Sequence, residues 1–351
     1  MAAGKPEVRL GVLKSAMDAN ELNPQPLPSS FESPRLTLVD AIPEFAIDYP
    51  PPPPPVRRIW LPVFLFFTTC VSTFVARVIF SDHFPEARHF PKAWWFLKIW
   101  WPAILDGLMY SGAAMTILLC HEMGHFVQAW RYGVYASLPY FLPVPLPPIG
   151  TFGAVILMEP RQGDRKAVFD IGISGPLAGL VPTFLFLCIG LSWSQFALAP
   201  AMPGGQGEQL VLGEPLLMQY FSHWLKGPTP ASHYLLWHPF ALAGWVGLLI
   251  TSINLIPIGQ LDGGHILYGM FRKKAHVASI IVLVLAITLS IRLNLTNWWL
   301  MLGVITVLGT RHPPTADDSV PLGAPRYVLG LLTLAFLFLG FTPRPLSFLG
   351  H

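Results

Sequence analysis

The chain has 351 residues, of which 53% are hydrophobic and only 12% charged, with a mean hydropathy of +0.52. Soluble domains carry about 25% charged residues, so this composition excludes a pair of soluble domains and points to a polytopic membrane protein. The net charge of +3 is too small and too dispersed for a nucleic-acid surface, and Cys70, Cys120 and Cys188, all in apolar runs, make neither a disulfide framework nor paired zinc spacing.

Taken in chain order, residues 1–58 are mixed in charge, poor in aromatics and end in the proline run Pro50 to Pro55. They read as a disordered, Pro-rich cytoplasmic tail with a stiff polyproline spacer. No apolar core follows a basic start, and the acidic residues argue against a transit peptide, so the expected location is a bacterial cytoplasmic membrane. Residues 59–106 hold a first span, about 59–80, and the stretch AWWFLKIWW (93–101), which reads as an interfacial aromatic belt. Further spans are expected near 107–130, 167–191 and 235–257. Two short apolar runs follow at 276–291 and 298–309, and a last one lies near 327–341. The expected fold class is therefore all-α, with six or seven transmembrane helices according to whether the two short runs are separate spans. Residues 149–160, IGTFGAVILMEP, are rich in β-formers and glycine and read as a short hairpin, either a plain connection or a re-entrant one with an open edge strand.

With seven crossings, most of the 22 basic residues fall on the side of the N-terminus, which is then the cytoplasmic side. The loops after the second and fourth spans lie on that side. Both carry unusual polar residues.

The second span ends in LLCHEMGHFVQAWRYG (118–133). His121 and His125 stand one helical turn apart on one face, so both imidazoles can reach the same ion. Glu122 is turned by about 100° around the axis, where it can take a proton from a metal-bound water instead of binding the ion. Six residues separate His125 from Arg131, roughly 9 Å of helix. At that depth an interfacial helix end with snorkelling groups is the weaker reading, and ionisable side chains are functional by default. Gly124 and Gly133 suit close backbone approach or helix termination.

A third ligand has to come from elsewhere. INLIPIGQLDGGHILYGM (253–270) breaks the fourth span at Pro257 and Gly259 and places Asp262 in an apolar setting. Asp262 completes a His₂-carboxylate site with a fourth position open. His265 competes for that role, and the bland alternative has Asp262 capping a helix that restarts at His265. GISGPLAG (172–179) supplies small residues at helical spacing for close packing of the third span on a catalytic one.

HEMGH followed by NLIPIGQLDGG is similar to the site-2 protease family of intramembrane zinc metalloproteases. LPYFLPVPLPPIGTFGAVI with FDIGISGPLAG resembles its EGY-type branch of plant plastids and cyanobacteria. The resemblance covers about 107–271 and implies a three-helix catalytic core there; the C-terminal helices over 272–351 are read from the apolar runs alone. It implies one Zn²⁺ per chain held by His121, His125 and Asp262, Glu122 as general base, and Asn254 beside the scissile peptide. If the edge of the hairpin pairs with substrate by β-augmentation, Gly153 and Ala154 are its contact residues. The expected partners are the lipid bilayer and a membrane-anchored protein with a transmembrane segment. The expected reaction is hydrolysis in or beside that segment. A metal transporter and a non-catalytic, protease-like scaffold are the alternatives. Internal repeats are not evident, against the first, and Glu122 is intact, against the second.

Overall fold

The computed structural model describes residues 59–81, 93–198 and 209–349, so the expectation of a disordered tail over 1–58 lies outside the described residues. The chain is mostly helical: α1 (Trp60–Ile79), α2 (Ala93–Arg131), α3 (Arg165–Trp193), α4 (Leu216–Lys226), α5 (Pro239–Asn254), α6 (Asp262–Phe271), α7 (Lys274–Arg292), α8 (Trp299–Leu308) and α9 (Ala324–Gly340). Four helical stretches, Trp60–Ile79, Trp100–Arg131, Arg165–Trp193 and Lys274–Arg292, are long and apolar enough to cross a membrane. They leave large apolar side chains such as Phe64, Leu108, Val181 and Ile281 exposed on their outer faces, as lipid-facing helices do.

Several boundaries differ from the sequence expectation. The aromatic stretch is not a separate interfacial segment: α2 runs through it and through Pro102 as one helix of 39 residues. The expected fourth span is the 16-residue α5, because residues from His233 to Leu236 form a strand. Of the two short runs, the first is the full-length α7 and the second is the ten-residue α8.

The class is also less purely helical than expected. Three two-stranded antiparallel sheets occur: β1 (Tyr140–Pro143) with β2 (Thr151–Val155), β3 (Gln195–Leu198) with β5 (His233–Leu236), and β4 (Gln209–Leu212) with β6 (Leu346–Leu349). Only the first was anticipated. The others are four residues per strand, too short for an alternation pattern to show.

The packing follows from small and polar residues at helix crossings. α1 lies antiparallel on α2, with the Thr73 and Ser111 hydroxyls 2.8 Å apart and Arg77 paired to Asp106 at 3.1 Å. Asp106 is thus ion-paired. Asp170 is too, held by both nitrogens of the Arg326 fork at 2.7 and 2.9 Å. Asp164 caps α3 by accepting the Ala167 N–H at 2.7 Å. The main core gathers Tyr110, Leu187, Trp245 and Leu248, all fully buried, between α2, α3 and α5.

The β1–β2 turn reaches deep along the bundle. Tyr110 donates to the Ile149 carbonyl at 2.6 Å, and Ser72 donates to that of Gly150 at 2.7 Å. Tyr110 lies eleven residues before His121 on α2, roughly 16 Å along the axis, so the hairpin spans the depth of the site.

Candidate metal centre

α5 ends at Asn254 because Pro257 disfavours helical backbone at Ile256 and Gly259 takes a positive φ of +57°. The chain doubles back over 255–261 and restarts as α6 with Asp262 as its first residue. The turn closes only because Gly263 and Gly264 carry no side chain. A Cβ there would stand 2.1 Å from the Leu255 carbonyl oxygen and 2.4 Å from that of Gly259. Asp262 therefore does not cap a helix at His265. The residue before α6 is Leu261, with no side-chain cap, and the Asp262 carboxylate turns to α2 instead.

There it spans both histidines. One oxygen lies 3.1 Å from His121 Nε2 and the other 3.2 Å from His125 Nε2. The candidate donor atoms of the three residues lie within 4.8 Å of one another, the one such group among the described residues. His125 Nδ1 lies 2.8 Å from the Ile171 carbonyl oxygen. A carbonyl only accepts, so Nδ1 carries the hydrogen and Nε2 is the nitrogen turned towards the Asp262 carboxylate. Nε2 and a carboxylate oxygen at 3.2 Å share a cation, which is a proton in an imidazolium–carboxylate pair or a metal ion in its place. Two imidazole nitrogens and a carboxylate oxygen are the donor types of a catalytic zinc site, with a fourth position left open. The Ile171 carbonyl is the outer group that orients one ligand ring.

α3 lies against this cluster through its small residues. Gly175 sits under His125, where an added Cβ would come 2.0 Å from Nε2, and Gly179 sits under His121 at 2.9 Å from its Cβ. Gly124 of α2 packs in turn on the Ser174 carbonyl. The glycine stripe thus sets how closely the third helix approaches the metal-site histidines. Gly133 lies just past the end of α2 with φ +67°.

The cluster opens into a cavity of about 150 Å³ whose wall includes Glu122, Asn254, His265 and the β2 residues Ala154 and Val155. Glu122 is 5% exposed and its carboxylate has no hydrogen-bond partner among the described residues. The Asn254 amide nitrogen lies 3.3 Å from His121 Nε2. Gly153 does not line the cavity; it faces Ile250 with φ +93°. His265 is not in the ligand group: its Nδ1 lies 2.6 Å from Nε2 of His312. His312 and the Ile171 carbonyl escape sequence reading, the first because no spacing ties it to the HEMGH motif, the second because a backbone group leaves no trace in residue type.

The profile of Peptidase family M50 matches residues 110–293, just over half of the chain. The chain belongs to Peptidase family M50. Relatives with curated names include "Probable zinc metalloprotease EGY1, chloroplastic" of Oryza sativa subsp. japonica, 34% identical over 180 residues, covering 50% of this chain and 30% of that protein. "Probable zinc metalloprotease EGY2, chloroplastic" of Arabidopsis thaliana is 30% identical over 261 residues, covering 70% of this chain and 43% of that protein. This M50 chain spans less than half the length of these relatives. No solved structure matches it. The expectation of a bacterial cytoplasmic membrane does not stand, because the relatives are chloroplast proteins of plants and point to a plastid membrane.

Proposed function

We propose that this M50 chain is a zinc metalloendopeptidase of a plastid membrane. Its substrate is a membrane-anchored protein, cleaved in or beside a transmembrane segment. The observation that carries this reading is the convergence of donor atoms of His121, His125 and Asp262 within 4.8 Å of one another, with the unpartnered Glu122 in the same cavity. His121, His125 and Asp262 hold one Zn²⁺, which when bound polarises the scissile carbonyl and acidifies water near neutral pH. Glu122 accepts the proton of the attacking water and returns it to the leaving nitrogen. Asn254 donates its amide N–H towards the carbonyl being attacked. The open edge of β2, through Gly153 and Ala154, holds the substrate backbone in extended form, which replaces the internal hydrogen bonds that its helix gives up.

Residues 107–271 form the catalytic core in this reading, with α7 to α9 as the C-terminal helices. The membrane is crossed seven times if α5 with α6, and α8 with the segment after it, each count as one broken crossing. The decisive experiment pairs wild type with Glu122→Gln, using purified protein and a single-pass substrate in liposomes. Zinc retained with cleavage lost is the expected result; cleavage surviving in the variant refutes the role given to Glu122, and zinc flux into the liposomes would replace hydrolysis with transport.

A further inference from the structure

The cavity extends past the ligand cluster. On α2, His121, His125 and Ala129 follow one another in four-residue steps along one face, and all three line it. Ala129 therefore lies one turn, roughly 6 Å, beyond the second histidine. The polar groups of the wall besides the ligands, Glu122, Asn254, Gln260 and His265, come from the level of the histidines, the end of α5 and the turn into α6. Around Ala129 the wall is apolar. Ala129, Ala136 and Ile171, none more than 5% exposed, form a buried cluster on which Ile156 and Met158 pack, and all five line the cavity.

The hairpin supplies the floor of this end, because its ladder continues beyond β1 and β2. Ser137 donates its N–H to the Leu157 carbonyl at 2.9 Å, and Glu159 donates to that of Tyr135 at 3.3 Å. Ala136 and Met158 thus oppose each other as a non-hydrogen-bonded antiparallel pair, the kind whose side chains stand closest. Side chains alternate along extended chain. Val155 and Leu157 are exposed, whereas Ala154, Ile156 and Met158 are partly buried against the cavity. Ala136 also belongs to a second wall: a neighbouring cavity of about 250 Å³ is lined by Phe126, Trp130, Tyr135 and Gln162 together with Ala136 itself.

We propose that the apolar end of the cavity is the subsite for the substrate side chain next to the scissile bond, that it takes short aliphatic side chains such as alanine or valine, and that Ala136 is the specificity-determining residue that sets its depth. The proposal rests on the peptidase reading. A substrate strand added to the edge of β2 stands every second side chain on the face shared by Ala154, Ile156 and Met158. No polar side chain lines this end, so a charged or hydrogen-bonding group entering it would lose water without gaining a partner. A cavity of about 150 Å³ can hold one benzene ring. Here the same volume also has to take the peptide group and the attacking water, so an aromatic side chain does not fit. A single methyl group, that of Ala136, faces both cavities; enlarging it raises the floor and removing it opens the way into the second.

The test uses the full chain, zinc-loaded in nanodiscs, with single-pass substrates carrying alanine, valine, leucine or phenylalanine in turn on each side of the cleaved bond. Wild type should discriminate against phenylalanine on one side by at least about tenfold in kcat/KM, since one methylene in an apolar pocket is worth roughly 10–200-fold. Ala136→Val should keep its zinc, hold the alanine substrate within about threefold, and lose the valine and leucine substrates by about tenfold relative to it. Ala136→Gly should raise the phenylalanine-to-alanine ratio about tenfold. In the Glu122→Gln background, Ala136→Cys should form a disulfide with a substrate cysteine beside the scissile bond and not with one four residues away; Glu122→Gln with Ala136 intact controls for Cys70, Cys120 and Cys188. Wild type indifferent to side-chain size, variants that scale all four substrates equally, or a disulfide only at the distant cysteine would each overturn the proposal. If Ala136→Val loses zinc through misfolding, Ala136→Gly and the disulfide decide instead. Zinc-loaded wild type that cleaves no substrate refutes the peptidase reading, whereas cleavage with unshifted preferences refutes the subsite alone.

Discussion

Replacing Gly175 with alanine should remove zinc without touching a single metal-site side chain. The added Cβ would lie 2.0 Å from His125 Nε2 and 2.4 Å from the two ring carbons beside it, where ordinary contact begins near 3.4 Å. The ring must therefore retreat by about 1.4 Å, whereas a metal site tolerates only about 0.2 Å in its ligand distances. If α3 moves instead, it draws the Ile171 carbonyl away from His125 Nδ1 and uncovers His121 at Gly179. Loss of an outer-sphere partner alone costs roughly 10–100-fold in affinity, so displacing the ligand itself should cost at least about 100-fold. Zinc competition against a chelator measures this on the purified chain. Gly112→Ala is the control, since that glycine is on α2 with nothing within 4 Å of its Cβ position. Gly175→Ala binding zinc within about threefold of wild type would show that the contact between α3 and His125 does not set the site, and the reasoning would fail.

Other substitutions separate the roles assigned here. Asp262→Ala should weaken zinc by at least about 100-fold on the same ligand-loss scale, while His265→Ala should leave zinc content unchanged; the reverse pattern would move the third ligand to His265. Arg165 donates to the Gly269 and Met270 carbonyls at 2.6 and 2.8 Å at the C-terminal end of α6; Arg165→Met strands the Gly269 carbonyl and leaves that of Met270 to the Tyr327 hydroxyl at 3.0 Å, and should cost about 1–3 kcal/mol, read as a lowered melting temperature. Ala154→Pro, which interrupts β2 opposite Phe141, should reduce turnover far more than zinc content. Equal loss of both would make the hairpin a structural support only.

What could be read from the sequence and what could not follows from the range of each interaction. His121, Glu122 and His125 were legible because one helix fixes their spacing, and a helix needs no partner to define its faces. Asp262 was legible as a charge in hydrocarbon, which has to be explained, yet its direction depends on the turn over 255–261 and on α3, so His265 remained a competitor until those contacts were placed. The strands β3 to β6 left no pattern because each is four residues long and paired to a segment far away in the chain. α5 read as a longer span because Leu235, Leu236 and Trp237 are as apolar as the helix that follows, and only His238 and Pro239 mark its true start. The small residues of GISGPLAG announced close packing correctly. That the close neighbours would be the metal-site imidazoles themselves could not be known from their spacing.

If substrate pairs with β2 as proposed, the five residues of that strand also set a mechanical condition on it. An extended strand rises about 3.3 Å per residue against 1.5 Å in a helix, so five residues drawn onto that edge lengthen a transmembrane segment by about 9 Å. The remainder of the segment must slide by that distance towards one membrane face, carrying its flanking groups into water. Segments that end in small or polar residues do this at little cost, whereas a long apolar stretch anchored by aromatics at both faces resists it. On that proposal the hairpin would select substrates by how readily they can be stretched, before any side chain reaches the metal.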